Sequence, residues 1–480
     1  MSNAAVALGL MGATLVTAFL LALRTRGAQS LEQWSIGSRG FSSLLVFVLL
    51  AGEIYTTFTF LGGSGWAYGR GAPAYYILAY PTVAFAAGYW LLPPIWQRAS
   101  EWRVISQPEY FAKAFGSEWL GTVVALVGCV ALLPYLVVQF KGLGILVSES
   151  SYGLISYETA IWIGTIATAA YVVMSGVNGS ALTAALKDAL VLAAAVGLGI
   201  ALPTSQHGGI GPMFDTLLAQ RPDFFVLPAH GMSAVWFTST IVLTVCGFYM
   251  WPHTFGSLFT ARTADAFRRN AVIMPLYQVV LLFVFFIGFA AITAVPGLEG
   301  AEIDLALLRV TRQTYGPWVM GLVGAAGLLT ALVPGALILM TTATILARLI
   351  TRARETTALR EVQTARRIVP LVAIVSLWFV FNGEQTLVTL LLFAYAIVTQ
   401  LFPSVLVSIW WPQRANAVAA FAGIVVGEGL VMYTSLAGIT TASMFPSLPA
   451  SITDMNIGVL ALAANVLVLW LLTVLLPTRR

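Results

Sequence analysis

Residues Leu44 to Gly71 read LLVFVLLAGEIYTTFTFLGGSGWAYGRG, and this stretch decides the fold. It begins as a membrane helix, apolar from Leu44 to Leu50, and then stops behaving like one. Gly52 and a carboxylate, Glu53, come next, followed by the hydroxyls of Tyr55, Thr56, Thr57 and Thr59 and by Gly62, Gly63 and Gly65. A helix surrounded by lipid has no use for a carboxylate and this much glycine at its middle. Irregular backbone is tolerated at membrane depth only where it faces protein or a water-filled cavity, because an unpaired amide costs several kcal/mol in hydrocarbon. The stretch therefore reads as a broken helix lining a binding site.

The composition agrees. Hydrophobic residues make up 59% of the 480-residue chain and charged residues 9%, against roughly 25% charged in a soluble domain. This is the composition of an all-α, polytopic membrane protein. The net charge of +5 does not point to nucleic acid, because the basic residues sit in short loops between apolar runs and not on one solvated face. Cys129 and Cys246 lie inside apolar runs and read as buried small hydrophobes, not as a disulfide or metal cluster. The first run, Ala4 to Leu23, lacks a basic leader and a clear cleavage site, so it reads as a retained helix and not a signal peptide.

Apolar runs near twenty residues number thirteen, centred near Gly12, Gly52, Phe85, Val130, Thr165, Ala194, Val242, Leu282, Thr330, Ile374, Ala396, Val425 and Val466. With the amino terminus outside, eighteen of the 24 basic residues fall in cytoplasmic segments, including Arg24, Arg26, Arg39, Arg98, Arg103, Arg262, Arg348, Arg352, Arg354, Arg414, Arg479 and Arg480. The positive-inside rule then places the carboxyl terminus in the cytoplasm, and a bacterial-type inner membrane is the expected location. No loop is long enough for a separate soluble domain. The connection Arg348 to Arg367, with Glu355 and Glu361, is expected to be a short solvated helix, and segments Gln206 to Pro228 and Gly297 to Tyr315 are expected to carry small helices.

A second interruption lies five spans after the first, at Gly247, Phe248, Tyr249, Met250, Trp251, Pro252 and His253. Proline removes a helix hydrogen bond and clashes with the preceding turn. Two interrupted helices in corresponding positions of two halves point to an inverted-repeat transporter with its substrate near the midplane.

At this point the residues resemble the sodium:solute symporter family. Leu31 to Gly40 (LEQWSIGSRG) is similar to the signature before its first core helix, and Phe58 to Gly71 to the first broken helix of its monocarboxylate permease branch. Leu133 to Gly144, Ala185 to Leu190 and Tyr249 to Tyr277 are further similar patches. The resemblance implies a leucine-transporter-type fold: an extra helix and loop over residues 1–40, a 5+5 inverted-repeat core over 41–411 and two final helices over 412–480. It also implies alternating access for a small organic solute, and for this branch a short-chain monocarboxylate such as lactate or pyruvate. No cofactor is expected beyond H+ or Na+ as coupling ion.

The family's sodium site joins backbone carbonyls of the first break, here those of Gly52 and Tyr55, to a hydroxyl pair on the ninth span. The register of that span puts Leu332 and Val333 at the hydroxyl positions, with Thr330 two or three residues away. A hard cation wants oxygen ligands, so sodium loses part of its shell. Lys187, one of three lysines and set within the sixth apolar run, is the candidate replacement. Intramembrane ionisable residues are functional candidates, and in proton-coupled relatives of the wider superfold a lysine on this helix can hold its ammonium where sodium would bind. The competing reading is a lysine that snorkels to the nearby interface, which is also the expectation for Lys141. Asp188, next in sequence, is expected on another face.

Tyr135 and Gln139, one helical turn apart, share a face and are candidates for substrate contact or for core packing. Thr56 and Thr59 offer hydroxyls at the first break, and Trp251 and His253 could close the site at the second. His253 could instead be a satisfied interfacial histidine. Glu53 either bonds freed amides when protonated or pairs with a buried cation. Glu428, outside the ten-helix core, reads as structural or interfacial. The functional expectation is a secondary symporter importing a small monocarboxylate, proton-coupled through Lys187. The alternatives are a sodium-coupled symporter of another small solute and a transporter-like membrane sensor. No nucleophile or metal constellation supports an enzyme, and no selectivity loop supports a channel.

Overall fold

The computed structural model describes residues 2–25, 27–351 and 357–476, and shows an all-helical protein. Arg26, Arg352, Arg354, Glu355, Arg479 and Arg480, which contribute to the charge pattern above, lie outside the described residues. Helix starts follow local chemistry. Ser2, Ser42, Ser117, Ser156, Thr357, Thr386, Asn416 and Asn456 each accept a hydrogen bond from a backbone N–H in the first turn of the helix that follows, the usual work of an N-cap side chain.

Among the described residues, nine helices are long and apolar enough to cross a membrane, and two bent pairs raise the number to eleven. The two pairs are the interruptions seen in the sequence. Ser43–Ile54 meets Phe58–Arg70 at 51°, and Ala234–Gly247 meets Pro252–Leu258 at 53°. The thirteen runs of the sequence and these eleven segments differ at two places. Tyr76–Glu101 spans 26 residues but carries Pro81, Pro93 and Pro94 and does not reach the same apolarity. Tyr157–His207 is one continuous 51-residue element, about 76 Å if straight against a hydrocarbon core of about 30 Å.

That element is not straight. Gly176 sits at φ +66° and ψ −170°, outside helical space. The hydroxyls of Tyr171 and Thr183 lie 2.7 Å apart, although twelve residues of straight helix would separate them by roughly 18 Å along the axis. The chain therefore folds back at Gly176. A side chain there would need a left-handed backbone that only glycine adopts freely and would strike the Trp34 ring at 2.6 Å.

The centre of the bundle is the helix Pro317–Thr351, almost entirely buried, which packs against Asn3–Leu23, Glu118–Ser150 and Tyr157–His207. Segments 206–228 and 297–315 carry the helices Ile210–Gln220 and Ala306–Thr314. The connection after Arg348 differs from the short helix expected: from Ala358 it runs on without a stop into the apolar helix Ala358–Phe381. Its acidic residue Glu361 turns back to pair with Arg348, which also pairs with Glu109.

Candidate functional site

The first break forms where Tyr55 leaves helical geometry at ψ 76°. The hydroxyls that follow satisfy the loosened backbone: Thr59 Oγ1 lies 2.8 Å from the Ile54 carbonyl and 3.1 Å from that of Thr56, and the Thr56 N–H donates to Thr59 Oγ1 at 3.0 Å. The Phe58 N–H donates to Thr56 Oγ1 at 3.2 Å. Thr56 and Thr59 are thus placed inside the break and engaged with it. The helix resumes through a wide π turn, Phe58–Gly62, a geometry that recurs at functional sites.

Two carbonyls of the break point instead at the folded-back helix. Lys187 Nζ donates to the Gly52 oxygen at 2.6 Å and to the Tyr55 oxygen at 2.9 Å. The side chain is fully buried, with 0% of its surface exposed, so it does not snorkel. Asp188 does not point to another face: its Oδ1 forms an ion pair with Lys187 Nζ at 3.1 Å. The two charges thus meet despite their adjacent positions in sequence. Gly52 has to be small here, since a Cβ would come within 3.0 Å of Ala184 Cβ and 3.7 Å of the ammonium.

On Pro317–Thr351 the hydroxyl of Thr330 donates to the Gly327 carbonyl of its own helix at 2.6 Å, and Leu332 and Val333 are buried apolar side chains. These positions offer no free hydroxyl pair.

Across the break lies a small cavity of about 20 Å³, room for about one water. Its walls include Glu53, Tyr80, Tyr135, Trp251, His253 and Tyr395. Tyr135 packs on Trp251 with ring centroids 4.9 Å apart and on His253 at 5.4 Å, and Tyr395 meets Trp251 at 5.0 Å. The structure thus brings Tyr135, Trp251, His253 and Glu53 to one cavity. Gln139 is placed elsewhere: its Oε1 accepts from the Thr57 hydroxyl at 3.0 Å.

Glu53 ties the two breaks together. Its Oε1 is in hydrogen-bond contact with Ser257 Oγ, and its Oε2 is buried with no hydrogen-bond partner. At the second break, Gln107 Nε2 donates to the buried carbonyl of Met250 at 2.7 Å. Ser257, Tyr80 and Tyr395 were not singled out from sequence, and Asp188 was expected on another face. The one available signal was for Ser257, which stands one helical turn after His253; Tyr80 and Tyr395 come from helices remote in the chain.

Lys141 also differs from expectation. It does not snorkel but donates to the carbonyls of Gly383 at 2.6 Å and Gln385 at 3.2 Å. Beside it opens a cavity of about 510 Å³ that includes Asp304. Asp304 accepts from the Leu387 N–H at 3.0 Å, and burial pushes its carboxyl up to about 7. Glu428 is half-buried, with Oε1 unpartnered.

A family model described as the sodium:solute symporter family matches residues 34–427. Over 474 residues the chain is 48% identical to a Bacillus subtilis protein named uncharacterized symporter YhjB, covering 98% of this chain and 96% of that one. Over 459 residues it is 26% identical to a protein of Rhizobium johnstonii named monocarboxylate transport permease protein, covering 94% and 91%. Among solved structures, a Na+-coupled sialic acid symporter in a substrate-bound, outward-open state matches with a TM-score of 0.78 at 16% identity, covering 99% of both chains. The two share a fold, and it is the leucine-transporter type that the sequence resemblance implied.

Proposed function

This chain belongs to the sodium:solute symporter family, multi-pass membrane symporters and not enzymes, and from that premise we propose that it imports a short-chain monocarboxylate together with a proton. In this reading the ammonium of Lys187 stands permanently where a sodium ion would otherwise bind. The observation that carries it is the pair of contacts from Lys187 Nζ to the Gly52 and Tyr55 carbonyls, at 2.6 and 2.9 Å. The absence of a free hydroxyl pair at Thr330, Leu332 and Val333 supports it. The similarity to a monocarboxylate transport permease supports the substrate class.

The same reading takes the chain across the membrane thirteen times, counting Tyr76–Glu101 once and the folded-back Tyr157–His207 twice. Residues 1–40 supply an extra helix, 41–411 the inverted-repeat core and 412–480 two peripheral helices. The amino terminus lies outside and the carboxyl terminus inside, in keeping with the arginine pattern. Substrate binds between the two breaks, against Tyr135, Trp251 and His253.

Uptake of radiolabelled lactate or pyruvate into proteoliposomes, with proton and sodium gradients imposed separately, tests this reading. A pH gradient, acid outside, should drive accumulation in sodium-free buffer. The second reading, sodium coupling, is favoured by the Na+-coupled symporter that shares the fold; accumulation driven by sodium alone would establish it.

A further inference from the structure

Lys187 is a poor candidate for the group that takes up and releases the proton, because both break carbonyls and Asp188 already hold its ammonium. The charges of Lys187 and Asp188 cancel each other. A second carboxylate, Glu53, then stands in the same interior without a cation of its own. The groups that face it are Lys187, already paired, Ser257 and Thr254 on the second broken helix, Tyr135 and Tyr249, and His253, Tyr80 and Tyr395 across the cavity. Among the described residues, no arginine or lysine lines the cavity. An unpaired buried carboxylate is costly, and neutralising it by protonation is the usual outcome.

The hydrogen-bond chemistry at Ser257 leads to the same place. Its hydroxyl has one hydrogen to give, yet Oγ touches two oxygens, Glu53 Oε1 and the His253 carbonyl at 2.9 Å. The carbonyl can only accept. Both bonds are fully made when the Glu53 carboxyl donates to Ser257 Oγ and Ser257 donates to the carbonyl. The other carboxyl oxygen, Oε2, is buried and unpartnered in a residue that lines the cavity.

We propose that Glu53 is the carrier of the transported proton, and that only its protonated form admits the substrate carboxylate between the two breaks when this one-water cavity widens. This rests on the monocarboxylate reading above. The Glu53 carboxylate takes one proton from the outer side to become a neutral carboxylic acid, which removes the like charge that would repel the incoming anion. After the site opens inward, the O–H bond breaks and the proton and the anion leave together. One H+ and one monocarboxylate anion cross, so each cycle moves no net charge.

The test uses the full-length protein in proteoliposomes with radiolabelled lactate. Glu53→Gln keeps a neutral donor but cannot release a proton. It should retain lactate counterflow between equal pH values and lose at least tenfold of the accumulation driven by a pH gradient. Wild-type uptake should not respond to an imposed potassium diffusion potential, and infrared spectra of the wild type should show the carbonyl stretch of a protonated carboxyl that Glu53→Gln lacks. Retained pH-driven accumulation in Glu53→Gln overturns the proposal. If Glu53→Gln does not fold, the absence of the infrared band or a potential-dependent uptake in wild type overturns it. Failure of wild type to move any short monocarboxylate, with the infrared band present, would instead strike the substrate reading beneath it.

Discussion

The ammonium of Lys187 and the carbonyl of Gly52 meet at 2.6 Å, across a helix break and 135 residues of sequence. This contact and its neighbour at Tyr55 hold the folded-back helix to the first broken helix. Lys187→Ala leaves two break carbonyls and the Asp188 carboxylate without their cation. Removing one member of a buried pair costs about 3 to 5 kcal/mol, and the variant should show a lower melting temperature in detergent. It should also lose at least tenfold of proton-driven lactate uptake.

Gly52 gives a steric test of the same contact. Gly52→Ala puts a methyl 3.0 Å from Ala184 Cβ and beside the ammonium, an overpacking worth about 1 to 3 kcal/mol. Transport should fall several-fold. Gly256→Ala, whose added methyl meets nothing within 4 Å, should match the wild type in thermal stability.

Asp304 predicts a pH dependence of stability. Its ordinary value is 3.8 and burial raises it to about 7. Between those values the folded protein holds a proton that the unfolded chain has released, so stability falls as pH rises through that range and the carboxylate forms above it. Asp304→Asn keeps an acceptor for the Leu387 N–H and does not ionise. Thermal melts of the variant should therefore decline less than the wild type's between pH 4 and pH 7.

Lys141 predicts a local change. Its ammonium is hydrogen-bonded to the Gly383 and Gln385 carbonyls, so Lys141→Met removes two charge-assisted bonds from that turn. Amide hydrogen exchange over residues 383–387 should quicken at least tenfold, with exchange in Pro317–Thr351 unchanged.

The two breaks were legible in the sequence because lipid excludes loosened backbone, so a glycine cluster or a proline at membrane depth carries information. Lys187 stood out for a related reason: a cation is rare in an apolar run. Asp188 did not, because adjacent helical residues normally project apart, and nothing in the sequence shows the two charges meeting. The walls given by Tyr80 and Tyr395 were illegible, since aromatic residues at helical spacing are common in any membrane core. The fold-back at Gly176 was legible as two apolar runs, though the element that joins them is continuous helix on both sides of a single residue. Thr56 and Thr59 looked like ligands because hydroxyls are; only geometry shows them bonded within the break.

A dissolved ion must find its site from solution, and the occupancy of that site rises and falls with the salt on either side of the membrane. The ammonium of Lys187 is delivered by its own side chain, at an effective concentration set by the covalent tether and not by the medium. Occupancy at the Gly52 and Tyr55 carbonyls is therefore indifferent to the saltiness of the surroundings.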